Sequence, residues 1–445
     1  MTMSIDPRKL TLVLFVVTGL ACTGMESMTT ATPATAAADC STLGQVNSVR
    51  TTLRDIYYWY QQLPDPSPAS FSSPEAYLEA VRYKPIDTTY SYVANKAESD
   101  AFFSDSQFIG IGFSSRQTGA AEVRIAQVFP NSPASDAGLA RGDYLLSVNG
   151  KAIGDLIRTG EIDTVFGANQ VGVTATLSWR KRDGAERQAQ VTKRIVTIPT
   201  VSQTAVFDVP RGPRVGYVHL RNFVTPSTEA LNTAFTALGQ AGVNELILDL
   251  RYNGGGLVSV AQHLGGLIGG AATNGQVFIQ FIHNDKNSAK NSTLRFPAPA
   301  AMLGVPRLFV ITTRGSASAS EAVINGLRPF MTVTLVGDTT YGKPVGQYGY
   351  DFCDKTLFPV AFEGKNARNE GGYFSGIPAD CAAADDLDHP LGDASEASVA
   401  EALGFIRTGG CGAGSASVAR ALARREELIG RGLPRDGWRQ LVNAN

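Results

Sequence analysis

Three serines at alternate positions, Ser316, Ser318 and Ser320, have the setting in this sequence that best suits nucleophilic catalysis. They follow an apolar run, 307–313, that predicts a strand, and they lead from Glu321 into a segment with apolar residues at helical spacing. A strand, a tight turn and a helix start place a hydroxyl beside unpaired N–H groups and the positive end of the helix dipole. These donors suit a developing oxyanion. The alternative is a serine that only caps the helix, and we expect Ser320 in that role.

A nucleophilic serine needs a base, and histidine or lysine can serve. The histidines lie outside any G-x-S-x-G elbow and any familiar triad order: His219, His263, His283 and His389. Lys343 follows an apolar run in Y-G-K-P-V-G-Q, a small-residue turn where partial burial would lower the pKa of an ammonium group. We therefore expect a Ser–Lys pair, and a solvated surface lysine is the plain alternative.

A third segment, D-L-R-Y-N-G-G-G at 249–256, follows the apolar strand pattern of 245–250. Its glycines let backbone N–H groups come close to a substrate. The alternative is a phosphate loop, but the chain has neither G-x-x-x-x-G-K-[ST] nor G-x-G-x-x-G. No C-x-x-C pair supports zinc or thioredoxin-like chemistry. We expect no metal and no cofactor.

The chain has 445 residues, of which 43% are hydrophobic and 18% charged, and its formal net charge is −1. This length suits two or three globular domains at roughly 150 residues each. A near-neutral charge gives no electrostatic basis for binding nucleic acid, and we expect no nucleic-acid partner.

The N-terminus has the pattern of a targeting segment. Two basic residues precede the apolar run 10–20, which is short for a membrane span and therefore favours export. The small residues before Cys22 resemble the lipobox of bacterial lipoproteins. We expect 1–22 to be a signal peptide, Cys22 to be lipidated and 23–39 to be a flexible tether to a membrane. Ordinary cleavage near 34–36 is the alternative.

Residues 107–199 resemble a PDZ domain of the bacterial type, through G-I-G-F, S-P-A-x-x-A-G-L and R-G-D-Y-L-L-S-V-N-G. The first motif supplies the backbone N–H groups expected to hold a terminal carboxylate: Gly110, Ile111, Gly112 and Phe113. A strand at 111–115 would let a peptide add as a further strand, and a helix at 155–166 would form the other wall. The alternative is a module that serves only as a spacer.

The remaining segments divide by pattern. Residues 40–106 predict a mostly helical N-terminal region, 200–410 alternate strands and helices, and 411–445 predict a helical tail. The fold class is therefore α/β, with a mostly β domain inserted after the helical region.

Taken together, S-A-S-A-S-E, Y-G-K-x-x-x-Q, D-L-R-x-N-G-G-G and the PDZ segment resemble the carboxy-terminal processing peptidases, also called tail-specific proteases. The resemblance implies a serine endopeptidase with a ClpP/crotonase-like core. The family's nucleophile is the middle serine of its motif, which is Ser318 here. The family's lysine base matches Lys343, and the glutamine that orients it matches Gln347.

The resemblance also places an oxyanion hole at the backbone N–H of Ala319 and at one of Gly255 and Gly256. One departure is Pro344, where the family often has glycine, and proline fixes φ and removes a donor in the turn toward Gln347.

The implied function is an exported, periplasmic or cell-envelope protease that captures free C-terminal tails through its PDZ domain. In the family this domain can also cover the active site until substrate binds, which is a hypothesis for this chain. The alternatives are an inactive peptide-binding scaffold and an esterase or amidase for small molecules.

Four cysteines remain beyond Cys22, an even number that suggests disulfides in an exported chain. Spacing favours Cys353 with Cys381, which leaves Cys40 with Cys411, although sequence alone does not settle the pairing. The polar region 347–393 has two open roles, a lid or a contact between copies of the chain.

Overall fold

The computed structural model describes residues 39–429. The expected signal peptide with Cys22, the expected tether up to residue 38, and residues 430–445 lie outside the described residues. No helix within the described part is long and apolar enough to cross a membrane.

The N-terminal region is largely helical, as its periodicity predicts. Its elements are α1 Thr42–Ile56, α2 Pro74–Val81, β1 Tyr92–Asn95 and α3 Lys96–Asp105. Serine side chains cap the first two helices, because Ser41 Oγ accepts from Gly44 N at 3.1 Å and Ser73 Oγ from Ala76 N at 3.1 Å. The short strand β1 was not predicted, and its pairing partner lies more than 250 residues further along the chain.

The inserted domain is mostly β. Its elements are β2 Gln107–Gly110, β3 Phe113–Gly119, β4 Glu122–Val128, α4 Pro133–Asp136, β5 Tyr144–Val148, β6 Lys151–Ala152, α5 Ile153–Thr159, β7 Thr174–Arg180, β8 Glu186–Thr192 and β9 Arg194–Thr197. The main sheet has the order β3-β4-β5-β7-β8, with β6 paired to β5, and β2 pairs with β9. Strand β3 is therefore a terminal strand, as peptide addition requires.

Two predicted boundaries in this domain were wrong. The strand expected at 111–115 begins at Phe113 and runs to Gly119. The helix expected at 155–166 spans only Ile153–Thr159, because Gly160 adopts a left-handed conformation (φ 73°) that ends it. The apolar residue that suggested a longer helix, Phe166, instead packs edge-to-face on Phe113, with ring centroids 6.1 Å apart.

The core domain alternates strands and helices before it turns to short strands. Its elements are β10 Val201–Asp208, β11 Arg214–Leu220, α6 Ser227–Gln240, β12 Glu245–Asp249, α7 Val258–Gly269, β13 Val277–His283, β14 Ser292–Arg295, β15 Arg307–Thr312, α8 Ala319–Leu327, β16 Thr332–Gly337, β17 Val345–Gln347, β18 Tyr350–Phe352, β19 Lys355–Phe358, β20 Val360–Lys365, β21 Cys381–Ala382, α9 Ala397–Thr408 and α10 Ser415–Ile429.

The central sheet has the order β10-β11-β12-β15-β16-β21, and its strands from β11 to β21 are parallel. Apolar side chains of α6, α7 and α8 cover one face, and those of α9 cover the other. Two smaller antiparallel sheets, β14-β13-β20-β17 and β1-β19-β18, complete the core. The predicted fold class is confirmed. The region 347–393 is not a separate lid, because strands β18 to β21 belong to all three sheets.

The predicted disulfide pairing was wrong. Cys40 pairs with Cys353, and Cys381 pairs with Cys411. Cys353 lies in the turn between β18 and β19, beside the start of α1, and Cys381 lies in β21, near the connection from α9 to α10. The observed pair of Cys381 with Cys411 spans 30 residues, about as many as the predicted pair of Cys353 with Cys381, so spacing could not distinguish them.

Candidate active site

The serine turn lies at the carboxyl end of the parallel sheet, between β15 and α8. Ser318 occupies the N-cap position of α8 with φ 57° and ψ −113°, a backbone conformation that non-glycine residues adopt at a cost of roughly 1–3 kcal/mol. Ser318 is half-buried, whereas the two flanking serines are fully buried. The fold therefore presents only the middle serine of the motif at a surface.

The flanking serines hold the turn against the glycine segment. Ser316 Oγ donates to the carbonyl of Leu250 at 2.8 Å, and Ser320 Oγ donates to the carbonyl of Asn253 at 2.9 Å. The expectation that Ser320 caps the helix was wrong, because its hydroxyl is used between segments and Ser318 stands at the cap. These contacts fix the serine turn relative to the glycine segment 249–256.

Lys343 and Gln347 are in direct contact. The Lys343 Nζ donates to Gln347 Oε1 at 2.6 Å, and Gln347 Nε2 donates to the carbonyls of Tyr90 and Phe358, both at 2.6 Å. The amide is thereby held in one orientation, with its oxygen toward the ammonium group. Pro344 does not prevent this arrangement.

Glu321 connects the serine turn with the lysine turn. Its fully buried carboxylate accepts from Ser318 N at 2.9 Å, Lys343 N at 2.8 Å, Gly342 N at 2.7 Å and Thr340 Oγ1 at 2.6 Å. Burial raises the pKa of this carboxyl, and the four donors oppose that rise. No role was predicted for Glu321, although an acid three residues after a helix N-cap is a recognisable capping signal.

The glycine segment lies against the serine. A Cβ on Gly255, which has φ 104°, would stand 2.8 Å from Ser318 Cβ, and one on Gly256 would stand 2.1 Å from the Phe223 carbonyl oxygen. Only glycine permits this approach. The Gly255 N–H is already bonded to Asn253 Oδ1 at 2.9 Å. Within residues 39–429, no hydrogen bond is found for the N–H groups of Gly256 and Ala319.

One cavity of about 1170 Å³ brings these groups together. Its lining includes Ser318, Lys343, Gln347 and the glycines 254–256, together with aromatic rings of Phe102, Phe103, Phe358 and Phe362. Residues 167–169 of the inserted domain also reach it. None of the four histidines lies in this lining, so the geometry offers a lysine as the local base.

The loop predicted to bind a terminal carboxylate, residues 110–113, lies at the start of the terminal strand β3. The carbonyls of Ile111 and Gly112 accept from Ala134 N at 2.8 Å and Phe129 N at 2.9 Å, which fixes the loop. Among the described residues, no hydrogen bond is found for the N–H groups of Ile111 and Gly112. Gly110 pairs with β9, and Phe113 begins β3. The loop can therefore offer backbone donors to an anion.

A buried ionic network joins the inserted domain to the glycine segment. Asp385 contacts Arg116 and Arg141 of the inserted domain, and it accepts from Tyr252 Oη at 2.5 Å. Burial alone would raise the pKa of Asp385, but these arginines and Arg251 hold it below its ordinary value. No local pattern in the sequence signals this acid, because its partners lie more than 130 residues away.

The same network anchors Arg251, which follows the strand that leads into the glycines. Its fully buried guanidinium donates to Glu396 Oε1 at 2.6 Å and Oε2 at 2.8 Å, and it pairs with Asp249 at 2.7 Å. Such a bidentate pair gives geometric definition as well as energy. The glycine segment is therefore held to the core through the ion pairs of Arg251 and to the inserted domain through the contact of Tyr252 with Arg141.

Comparisons with known proteins identify three domains in the chain. Residues 214–382 match peptidase family S41, 45–92 match the peptidase S41 N-terminal domain, and 107–192 match the PDZ domain. A solved structure described as an S41 protease from Bacteroides fragilis NCTC 9343 has 25% sequence identity and a TM-score of 0.64, covering 81% of this chain and 97% of that one.

Two curated relatives are similar over shorter stretches. A chloroplastic C-terminal processing peptidase of Tetradesmus obliquus is 33% identical over 241 residues, which is 51% of this chain and 48% of that protein. A protein described as a CtpA-like serine protease, from Staphylococcus saprophyticus, is 25% identical over 320 residues, 71% of this chain and 62% of that protein. The chain thus spans about half to three fifths of these relatives' lengths. Residues 214–382 therefore carry a domain of peptidase family S41, and residues 107–192 carry a PDZ domain.

Proposed function

We propose that this protein is a serine endopeptidase that captures the C-terminal tails of other polypeptides through its PDZ domain and hydrolyses their peptide bonds. The observation that carries the proposal is the shared cavity, in which the strained Ser318, the Lys343–Gln347 pair and the glycines 254–256 meet.

In the proposed reaction, neutral Lys343 takes the proton of the Ser318 hydroxyl as its oxygen attacks the scissile carbonyl carbon. The oxyanion is held by the N–H groups of Ala319 and Gly256, which the protein leaves available. The lysine then passes its proton to the leaving amine. Water hydrolyses the acyl-enzyme, with the same lysine as base. Gln347 keeps Nζ directed through its Oε1.

The tail would be held apart from the chemistry. The available N–H groups of Ile111 and Gly112 suit a terminal carboxylate, and the terminal strand β3 suits the addition of a peptide strand. Residues 167–169 of the PDZ domain line the cavity that contains Ser318, which supports transfer of a captured chain to that site. The family hypothesis that the PDZ domain also gates the site remains part of this proposal.

We also propose export, with attachment to a bacterial membrane through lipidated Cys22. The support is the targeting pattern and the two disulfides, which suit an oxidising compartment. Fractionation of cells that express the wild type or Cys22→Ser tests this: we expect the wild type with membranes and the variant released. Equal release of both would contradict lipid anchoring.

The decisive test is degradation of an unfolded reporter with an apolar C-terminal tail by the purified full chain. Wild type should cleave it, whereas Ser318→Ala and Lys343→Ala should lose cleavage while keeping their thermal stability. If wild type binds the tail without cleaving it, the inactive scaffold is supported instead. Equal cleavage by wild type and Ser318→Ala would exclude Ser318 as the nucleophile.

A further inference from the structure

We propose that the segment to be cleaved enters the catalytic cavity as an added β-strand on the open edge of β1. This inference rests on the proposed endopeptidase function and concerns the scissile segment, whereas the PDZ domain holds the tail. The occupant is an extended stretch of unfolded polypeptide, recognised mainly through its backbone.

Strand β1 is placed for this role. It is the terminal strand of the sheet β1-β19-β18, and within residues 39–429 it pairs with β19 alone. All four of its residues line the cavity that contains Ser318 and Lys343. A terminal strand leaves one row of backbone groups unpaired, which is a template for another strand.

The register shows which backbone groups of β1 face away from β19. Lys96 N donates to the Asp354 carbonyl at 2.9 Å, one step beyond the pair of Asn95 with Lys355. In an antiparallel ladder, alternate residues direct their N–H and C=O groups to the same neighbour. Ala94 therefore faces β19, as Lys96 does, and the N–H groups of Val93 and Asn95 face away from it.

The hairpin β18–β19 indicates the same direction for the backbone groups of β1. Phe352 and Lys355 form the pair that closes the two-residue turn 353–354. The pair that closes such a turn is hydrogen-bonded, so Lys355 is directed to β18 and Thr356 to β1. Thr356 is the partner of Ala94, which agrees with the direction obtained from Lys96.

The outward groups of β1 are not used elsewhere. Among the described residues, no hydrogen bond is found for the N–H groups of Val93 and Asn95 or for the Val93 carbonyl outside the ladder. The Asn95 side chain has a separate task, because its Oδ1 accepts from Glu98 N at 3.1 Å and caps α3. A substrate strand would satisfy this edge with at least three backbone bonds.

The surrounding wall suits a chain of variable sequence. The cavity is lined by aromatic rings, including Phe103 and Phe362, and Tyr92 of β1 stacks on Phe358 with centroids 4.8 Å apart. Backbone pairing provides affinity that is independent of sequence, and the aromatic wall accepts apolar side chains that alternate along the strand. This combination fits a protease for unfolded tails.

The first experiment is an N-methyl scan of a peptide whose single cleavage site has been mapped by mass spectrometry. With the full-chain wild type, methylation at every second residue near the cleavage site should lower kcat/KM by about three- to tenfold, and methylation at the residues between should leave it unchanged. Cleavage without this alternation would overturn the inference. Absence of cleavage of the unmodified peptide would instead contradict the proposed function.

The second experiment tests β1 itself. Val93→Pro removes the outward N–H and leaves the β19 ladder intact, whereas the matched control Val93→Ala keeps that N–H. The proline variant should cleave the unmodified peptide about three- to tenfold less efficiently and should lose the alternation, and Val93→Ala should retain it. Unchanged alternation in a folded Val93→Pro protein would exclude β1 as the partner.

If Val93→Pro does not fold, amide exchange decides the question. Ser318→Ala is mixed with the same peptide, which it cannot cleave, and exchange is followed at individual amides by NMR. Slower exchange at Val93 and Asn95 on addition of the peptide supports the inference. Unchanged exchange at both amides under saturating peptide overturns it.

Discussion

At the scale of single residues, Glu321 shows how a side chain that takes no part in the proposed reaction can fix the geometry of the site. Its Oε2 accepts from the N–H of Ser318 and the N–H of Lys343 at once, although these residues lie on separate turns. Ser318 has a strained backbone, and this carboxylate is among the contacts that hold it. Glu321 is therefore a positioning residue, which holds the two turns through their backbone.

Glu321→Gln should lower kcat by roughly ten- to a hundredfold with little change in KM. The amide NH₂ would face donors where a carboxylate accepted them, which leaves buried groups unpaired and shifts both turns. Steady-state kinetics with a reporter peptide measure the split. Glu245→Gln is the matched control, because Glu245 is also a buried acid but is paired with Arg307 at the opposite end of the sheet. An equal effect of both variants on kcat would contradict the positioning role.

His219 gives a prediction for pH. It is completely buried, and burial, with Arg221, Arg251 and Arg141 nearby, lowers the pKa of its imidazole to about 4. The unfolded chain, with a histidine pKa of ~6.5, binds the proton more readily, so the unfolding free energy should fall by roughly 3 kcal/mol as pH decreases from ~6.5 to ~4.

His219→Gln should flatten that part of the stability curve. Denaturant unfolding at a series of pH values measures the slope, and His389→Gln, at a histidine whose side chain is 45% exposed, serves as the control. A slope in His219→Gln equal to that of wild type would show that another group carries the pH dependence.

At the scale of elements, the site depends on close approach between two turns that follow neighbouring parallel strands. The segment after β12 carries the glycines, and the segment after β15 carries Ser318. Since the carboxyl ends of parallel strands meet at one edge, sequence distance between the two segments has little effect on their contact. The tolerance between them is small, as the absent Cβ of Gly255 shows.

Gly255→Ala should therefore reduce kcat by at least about a hundredfold, because the new methyl group must displace the serine turn or the oxyanion donors. Gly242→Ala is the control, since Gly242 also has a positive φ (73°) but has open space where a Cβ would stand. Both variants should lose some thermal stability, and only the first should lose activity. Retained activity in folded Gly255→Ala would contradict the assigned geometry.

Sequence was informative where chemistry is encoded locally. Ser318 and Lys343 each lie in a short motif after an apolar strand, and the cavity does contain both residues. The same kind of reasoning failed for the pairing of Cys40 with Cys353 and for β1, whose partners lie more than 250 residues away along the chain. Asp385 was missed for the same reason, because a lone acid in a polar loop gives no sign of three distant arginines.

At the scale of the whole molecule, Asp385 forms ion pairs with arginines of both the PDZ domain and the core. Its side chain is 3% exposed, and its pKa is held below the ordinary value by the arginines of both parts. A carboxyl with a depressed pKa in the folded state contributes stability above its unfolded pKa of ~3.9, and loses that contribution as pH falls through its folded pKa. The network should therefore persist throughout the neutral range.

Asp385→Asn should destabilise the protein by roughly 3–5 kcal/mol, because it leaves buried guanidinium groups without their counter-charge. It should also speed amide exchange in β3 and in the segment that contains Tyr252. Asp388→Asn is the matched control, since Asp388 pairs with Arg124 but is 64% exposed and should cost less than ~1 kcal/mol. Equal and small effects of both variants would contradict a coupling between the two parts.

The cavity described above is walled by stretches of chain near residues 75–103, 167–169, 254–258, 318 and 343–362. In an incompletely folded molecule, Ser318, the turn that carries Lys343 and the glycine segment are not held together. The candidate site is thus a property that only the complete tertiary structure possesses. Under the proposed function, assembly of the complete fold is itself the step that creates the proteolytic site.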